Sequence, residues 1–348
     1  MLIVGGTGRT GRKLVHKLCE DPRISEVTAI VRDPVKAQHC FGADHEKINI
    51  VEGDLTDVGA WEARLDGVSQ VVTAVSCGLS TDWLVVLGVK DPESPLPSDV
   101  DGDGITQLAH AAKAHGVERF VAVTTASAGS PWSLAAMFLN LIHHGSVQEK
   151  WRGEQAIRSS GLDYIILRPY GLGQDVAPPP GARGIEWSQG RTSGARRRIP
   201  RDDVATLCHE ALLLDKTARR TTFECWASEE HARPMDWSAL RPDPPGPLPE
   251  VDHRTATAVA LCGTLLLGGA ALRGVGRMRR FALLAGKTAP DAADARFFGH
   301  PAVHAAWWGI VGYSLWKAHT DGFDPEAKGR KTKSPQQRAD EALEKWRK

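Results

Sequence analysis

"IVGGTGRTGRKLV", residues 3–15, decides the fold. A strand-like apolar start runs into Gly5, Gly8 and Gly11 at G-x-x-G-x-x-G spacing, and the amphipathic stretch that follows opens a helix. Glycine here allows a tight turn, then close approach of backbone to a pyrophosphate, then close packing of helix on strand. The helix N-terminus adds N–H groups and positive dipole character for the phosphates. Thr7, Arg9 and Thr10 stand between the glycines and complete the candidate loop. A glycine-rich turn without a ligand is the alternative, but the strand–turn–helix context is the one dinucleotide binding requires.

Outward from this loop, short runs rich in Val and Ile alternate with helical patterns. Residues 2–4, 27–31, 48–52, 71–75, 119–125 and 163–169 read as strands, with helices such as "GRKLVHKLCED" and "GITQLAHAAKAHG" between them. That alternation predicts an α/β fold, a doubly wound parallel sheet covered on both faces, over residues 1–228. Six prolines between His231 and Glu250 predict a semi-rigid linker over residues 229–254.

Beyond the linker, Thr255–Leu272 gives 18 uncharged residues and Phe297–Trp316 gives 20. Residues 255–317 are therefore expected to form a hydrophobic helical hairpin, a candidate membrane anchor, with residues 318–348 as a polar basic tail. The loop between the runs holds Arg273, Arg277, Arg279, Arg280, Lys287 and Arg296, which the positive-inside rule would place on the cytoplasmic side, so burial against a protein partner stays open. His300 and His304, one helical turn apart, suit a metal or tetrapyrrole ligand less well than a hydrogen-bonded interface.

Formal net charge is +1, which points away from nucleic acid. The six cysteines are scattered without a C-x-x-C pair, so neither a metal site nor a disulfide framework is expected, and a reducing compartment suits them. At the end of the second strand, Asp33 stands where an acid would take a ribose 2′-OH, while Arg32 beside it would pair with a 2′-phosphate. With Arg9 in the loop, the charges favour NADP(H), with NAD(H) the alternative.

Taken together, "VGGTGRTGRKLV", "AIVRDPVKA", "VEGDLTD", "GITQLAHAAKAHGVERFVAVTT", "KWRGEQAIRSSGLDYIILRPYGL" and "IPRDDVA" resemble the atypical short-chain dehydrogenase/reductases of the NAD(P)-binding, NmrA-like kind. The resemblance covers residues 1–228 and implies a Rossmann-type sheet. It implies that Asp54 and Leu55 flank the adenine and that Ala74, Val75 and Ser76 line the cofactor. Thr124 and Thr125 would close the nicotinamide end, and Lys150 would hold the nicotinamide ribose.

Short-chain reductases pair that lysine with a tyrosine one turn earlier, whose phenol pKa of about 10 the lysine lowers. Four residues before Lys150 the chain has Ser146, a far poorer acid. Thr125 and Ser127 fit the family's active-site hydroxyl position, so Lys150, Thr125 and Ser127 are the catalytic candidates, and strand-end capping is the plainer role for the hydroxyls.

The resemblance implies that the segment with Arg191, Arg196, Arg197, Arg198 and Arg201 borders the substrate mouth, as a site for an anionic substrate, lipid headgroup or acidic partner, with a solvated basic loop the alternative. Arg201, Asp202 and Asp203 read as an ion pair and helix cap. Ser146, the proline linker and the uncharged tail favour an accessory, assembly or redox-sensing subunit of a membrane complex, and the resemblance implies a plastid, where many plant and algal members are found. An NADPH-dependent oxidoreductase or isomerase with a non-tyrosine donor, acting on an apolar substrate, is the alternative.

Overall fold

The computed structural model describes residues 1–77, 94–173, 184–190, 198–214, 220–228 and 235–246, with His253, Thr255 and Ala256. All belong to one compact unit, Met1–Thr257. The elements run β1 (Leu2–Val4), α1 (Gly11–Glu20), β2 (Val27–Val31), α2 (Pro34–Phe41), β3 (Ile48–Glu52), β4 (Gln70–Thr73) and α3 (Ile105–Ala114). They continue with β5 (Arg119–Val123), α4 (Leu134–Ile142), α5 (Ser146–Ser159), β6 (Tyr164–Pro169), β7 (Ile185–Ser188), α6 (Arg201–Leu213) and β8 (Thr221–Ala227).

The sheet order is β3-β2-β1-β4-β5-β6-β8-β7. Every pairing is parallel except that of β7 with β8. β1 is central: Ile3 registers with Ala29 on one side and with Val72 on the other. From β1 the chain winds outward to β3, then returns to β4 and winds the other way. The crevice between the C-terminal ends of β1 and β4 is therefore a topological switch point, where such sheets take ligands.

Two cores follow from the two faces. Leu14, Leu18, Phe41, Val204 and Leu207 pack on one side of the sheet, and Trp61, Leu65, Leu108, Phe120 and Ile157 on the other. β6 and β8 are buried at every residue, as inner strands of a doubly covered sheet must be. α6 begins after Pro200 with no side-chain cap. Asp202 does not cap it but reaches across to Lys17 at 3.4 Å and Lys13 at 3.9 Å, tying α6 to α1.

The proline-rich stretch departs from the expected spacer in its described part. Met235 and Leu240 are buried in the core, and Trp237 meets Phe223 edge-on with ring centroids 5.7 Å apart. Trp237 Nε1 donates to Glu210 at 2.9 Å. Asp243 accepts from Thr222 Oγ1 at 2.6 Å, Thr222 N at 3.1 Å, Tyr164 Oη at 3.0 Å and Arg158 Nε at 3.4 Å. Regular structure here is one 3-10 turn, Trp237–Ala239, and the prolines do not prevent docking, because side chains supply the bonds that the backbone cannot.

Among the described residues no helix is long and apolar enough to cross a membrane. The expected hairpin over 255–317, the tail over 318–348 and the His300/His304 pair lie outside the described residues, apart from Thr255 and Ala256.

Candidate functional site

The site collects at the C-terminal edge of the sheet. Gly5 has φ +85°, open to glycine at little cost, and a Cβ there would stand 2.8 Å from the backbone of Ala74 and Val75. A Cβ at Gly11 would overlap the Gly5 carbonyl, and one at Gly8 would lie 3.1 Å from the same oxygen. Gly8 N donates to Gly5 O at 3.0 Å and closes the turn. The loop thus forms a cradle that any side chain at these positions would fill, opening on the N-terminus of α1. That cradle suits a dinucleotide pyrophosphate.

Around the cradle the remaining candidates fall in order along strand ends. Arg32 and Asp33 follow β2, and Arg9 and Arg32 are exposed. Asp33 does not face a ribose freely: it caps α2, accepting from Lys36 N at 2.9 Å. Asp54 accepts from Thr56 N and Oγ1 at 3.0 and 2.8 Å, which shapes the turn after β3, and Leu55 is buried in the core below it. Ala74, Val75 and Ser76 follow β4, which ends at Thr73 rather than at Val75. Ala74 N donates to Val4 O at 3.0 Å, binding this wall to the loop strand.

Thr124 and Lys150 meet in one cleft with Thr73, Val75, Asp101 and Glu154. Lys150 Nζ lies 2.6 Å from Asp101 Oδ1, and Asp101 is 3% exposed. Asp101 also accepts from Cys77 N at 3.2 Å. It belongs to a π-helix, Ser98–Gly104, onto which α5 packs closely because Gly153 has no Cβ to strike the Asp101 carbonyl. Burial first, then the Asp101 charge, pushes the Cys77 thiol up to about 11, so it is no nucleophile at neutral pH. Thr73, in the same cleft, has a buried hydroxyl without a hydrogen-bond partner among the described residues.

Glu154 is the centre of a buried charge network. Thr124 Oγ1 donates to its Oε1 at 2.5 Å, Arg168 Nη2 to its Oε2 at 2.5 Å, and Arg158 Nη1 to its Oε2 at 3.1 Å. Burial alone would raise the carboxyl pKa. The charges of Arg168 and Arg158, with the bonds from Arg168 and Thr124, outweigh it and hold Glu154 below the usual carboxylate range. Both guanidinium groups also lie over the Trp151 ring, 5.3 and 5.6 Å from its centroid. Thr124 is therefore bound into the floor of the cleft and is not a free donor.

The tyrosine position holds Ser146, 8% exposed in the first turn of α5. Neither described tyrosine replaces it. Tyr164 Oη is taken by Asp243, and Tyr170 Oη reaches Glu224 at 3.3 Å. Burial, with the Asp243 charge, raises the Tyr164 pKa above its ordinary value. Thr125 and Ser127, half-buried beyond β5, make no side-chain hydrogen bond among the described residues. Of the basic segment, Arg201 bonds the Gly173 carbonyl, Arg198 is exposed, and Arg191, Arg196 and Arg197 lie outside the described residues.

Asp101 and Glu154 were missed by sequence reasoning. Lys150, Glu154 and Ile157 follow i, i+4, i+7 spacing on α5, and Ile157 is fully buried. That spacing was the available sign that Glu154 faces inward.

This arrangement, a glycine cradle at the switch point of a mostly parallel sheet with a lysine from α5 in the neighbouring cleft, is of the class that binds dinucleotides. The family profile described as NAD(P)H-binding matches residues 5–214, and the chain belongs to that family, of the NmrA-like, atypical short-chain dehydrogenase/reductase kind. A chloroplast protein of Arabidopsis thaliana is 31% identical over 63% of this chain and 73% of its own length. The photosystem II assembly factor Ycf39 of Guillardia theta is 25% identical over 66% of this chain and 67% of its own. A solved Bacillus halodurans protein described as an NAD-dependent epimerase/dehydratase shares the fold, with a TM-score of 0.52 and 22% identity over 66% of this chain and 94% of its own.

Proposed function

We propose that this chain is a cofactor-bearing accessory protein, an assembly or redox-sensing subunit of a plastid membrane complex, and that it takes NADP(H) in preference to NAD(H). Ser146 at the tyrosine position carries the reading, since α5 then supplies no phenolic acid beside Lys150. Its support also includes the engagement of Tyr164 and Tyr170 elsewhere, and the likeness to a photosystem II assembly factor along two thirds of both chains. The uncharged runs 255–272 and 297–316 support the membrane part. Exposed Arg32 and Arg9 support the phosphate-bearing cofactor.

When bound, the cofactor supplies a hydride or an electron-accepting ring. The chain's own residues hold its pyrophosphate on the Gly5–Gly11 loop, line it with Ala74 and Val75, and fix the Lys150 ammonium through Asp101.

One observation favours a second reading, an NADPH-dependent oxidoreductase or isomerase of an apolar substrate. Thr125 and Ser127 keep two half-buried hydroxyls without side-chain hydrogen bonds among the described residues. One experiment separates the two: thermal stabilisation of the full chain by NADPH and by NADH, then NADPH oxidation with apolar carbonyl compounds. Stabilisation without turnover is expected. Turnover would replace the accessory reading with the second. Arg32→Ala should weaken NADPH about tenfold and leave NADH unchanged, as loss of one charge-assisted bond would.

A further inference from the structure

Helix α4 presents an apolar face that stays open to solvent. Leu134 is 84% exposed, Phe138 60%, and Trp132, two residues before the helix, 52%. Leu134 and Phe138 are one turn apart and so share a side. The opposite side is spent on the domain, where Ala136 packs with Ala128, Val147 and Trp151. Single exposed apolar residues are ordinary, but three large ones together mark a contact surface. No Asp, Glu, Lys or Arg occurs from Pro131 to Gln148.

The same helix holds His253, close to the last described residue, Ala256. His253 is 1% exposed. Its Nε2 donates to Ala128 O at 2.8 Å, and its Nδ1 accepts from Asn140 Nδ2 at 3.3 Å. Asn140 spends its Oδ1 on Val147 N and Gln148 N, at 2.9 and 3.0 Å, at the start of α5. His253 is thereby pinned to α4, and the uncharged run Thr255–Leu272 starts two residues later in the sequence.

We propose that Trp132, Leu134 and Phe138 dock on the surface of a lipid bilayer, as a shallow anchor beside the start of that run. This deepens the membrane part of the accessory reading. Leucine and phenylalanine on one side of a short helix, with a tryptophan just before its start, suit the boundary between headgroups and acyl chains. The absence of charge from 131 to 148 makes the contact apolar, so it should form on uncharged phosphatidylcholine and resist salt.

The test uses the full chain with Phe138→Cys carrying an environment-sensitive fluorophore. Val35→Cys, at an apolar position 63% exposed on α2, is the parallel site. Wild type labelled alongside corrects for its own cysteines. With phosphatidylcholine vesicles containing spin-labelled lipid, the probe at 138 should shift to the blue and be quenched, and the probe at 35 should not. Leu134→Ser should lower vesicle partition about tenfold.

Absence of vesicle binding overturns the proposal, as does binding that leaves the 138 probe unquenched. A blue shift that grows with protein concentration without lipid also overturns it, in favour of a second copy. NADPH stabilisation and NADPH turnover, both measured on the same samples, tell failure here from failure of the accessory reading.

Discussion

Lys150 and Asp101 form an ion pair at 2.6 Å in which the lysine side chain is 14% exposed and the aspartate 3%. A lysine expected to serve a ribose is thus already held by a carboxylate from another segment. Lys150→Met leaves Asp101 buried without its cation and should destabilise the cofactor-free protein by about 3 kcal/mol. Adding Asp101→Asn should recover part of that loss, with a coupling of about 1–3 kcal/mol in a double-mutant cycle by urea denaturation. Additive effects would mean that the pair does not act as one unit.

Glu154 bears on acid stability. Its folded pKa is depressed, so its contribution is fully present above the unfolded carboxylate value of about 4.3 and is lost as pH falls through the folded value. Stability from this network should hold through mildly acidic pH and decline only below the ordinary carboxylate range. Glu154→Ala strands Arg158 and Arg168 and should cost about 3–5 kcal/mol at neutral pH. Urea melts across a pH series check both statements.

Gly11→Ala tests the cradle. The added methyl would overlap the Gly5 carbonyl, so the loop must shift. NADPH affinity by calorimetry should fall about tenfold or more, which corresponds to about 1.4 kcal/mol of lost binding. Unchanged affinity would remove the loop from the binding site.

Asp243→Ala tests the docked proline segment. The substitution leaves Arg158, Tyr164 and Thr222 short of an acceptor in partly buried surroundings. A loss of about 2–4 kcal/mol in urea denaturation is expected, whereas a free spacer would lose nothing measurable.

Much of the fold was legible because β1 to β6 are rich in Val and Ile and the glycine loop is local in sequence. β8 was not legible. "TTFECWA" is buried at every residue, but its polar side chains are satisfied by distant partners, Thr221 by Gln189 and Glu224 by Tyr170. β7 is four residues long and incompletely buried, too short to carry a periodic signal. In the site, Lys150 and the glycines were visible as motifs. Asp101 was not, because its partner lies 49 residues along the chain. The prolines of 235–246 concealed that Met235, Leu240 and Asp243 bind this stretch to the domain.

The order β6-β8-β7 sets a timetable for synthesis. β7 leaves the ribosome before β8, yet β8 is its sheet partner and occupies the place beside β6. Until residues 221–227 emerge, β7 lacks its sheet partner and the edge of β6 that β8 will take stands open. Non-local pairing of this kind folds late and leaves strand edges exposed meanwhile. Asp243 then bonds both Thr222 on β8 and Tyr164 on β6, so the nascent domain closes only after the proline segment has been made.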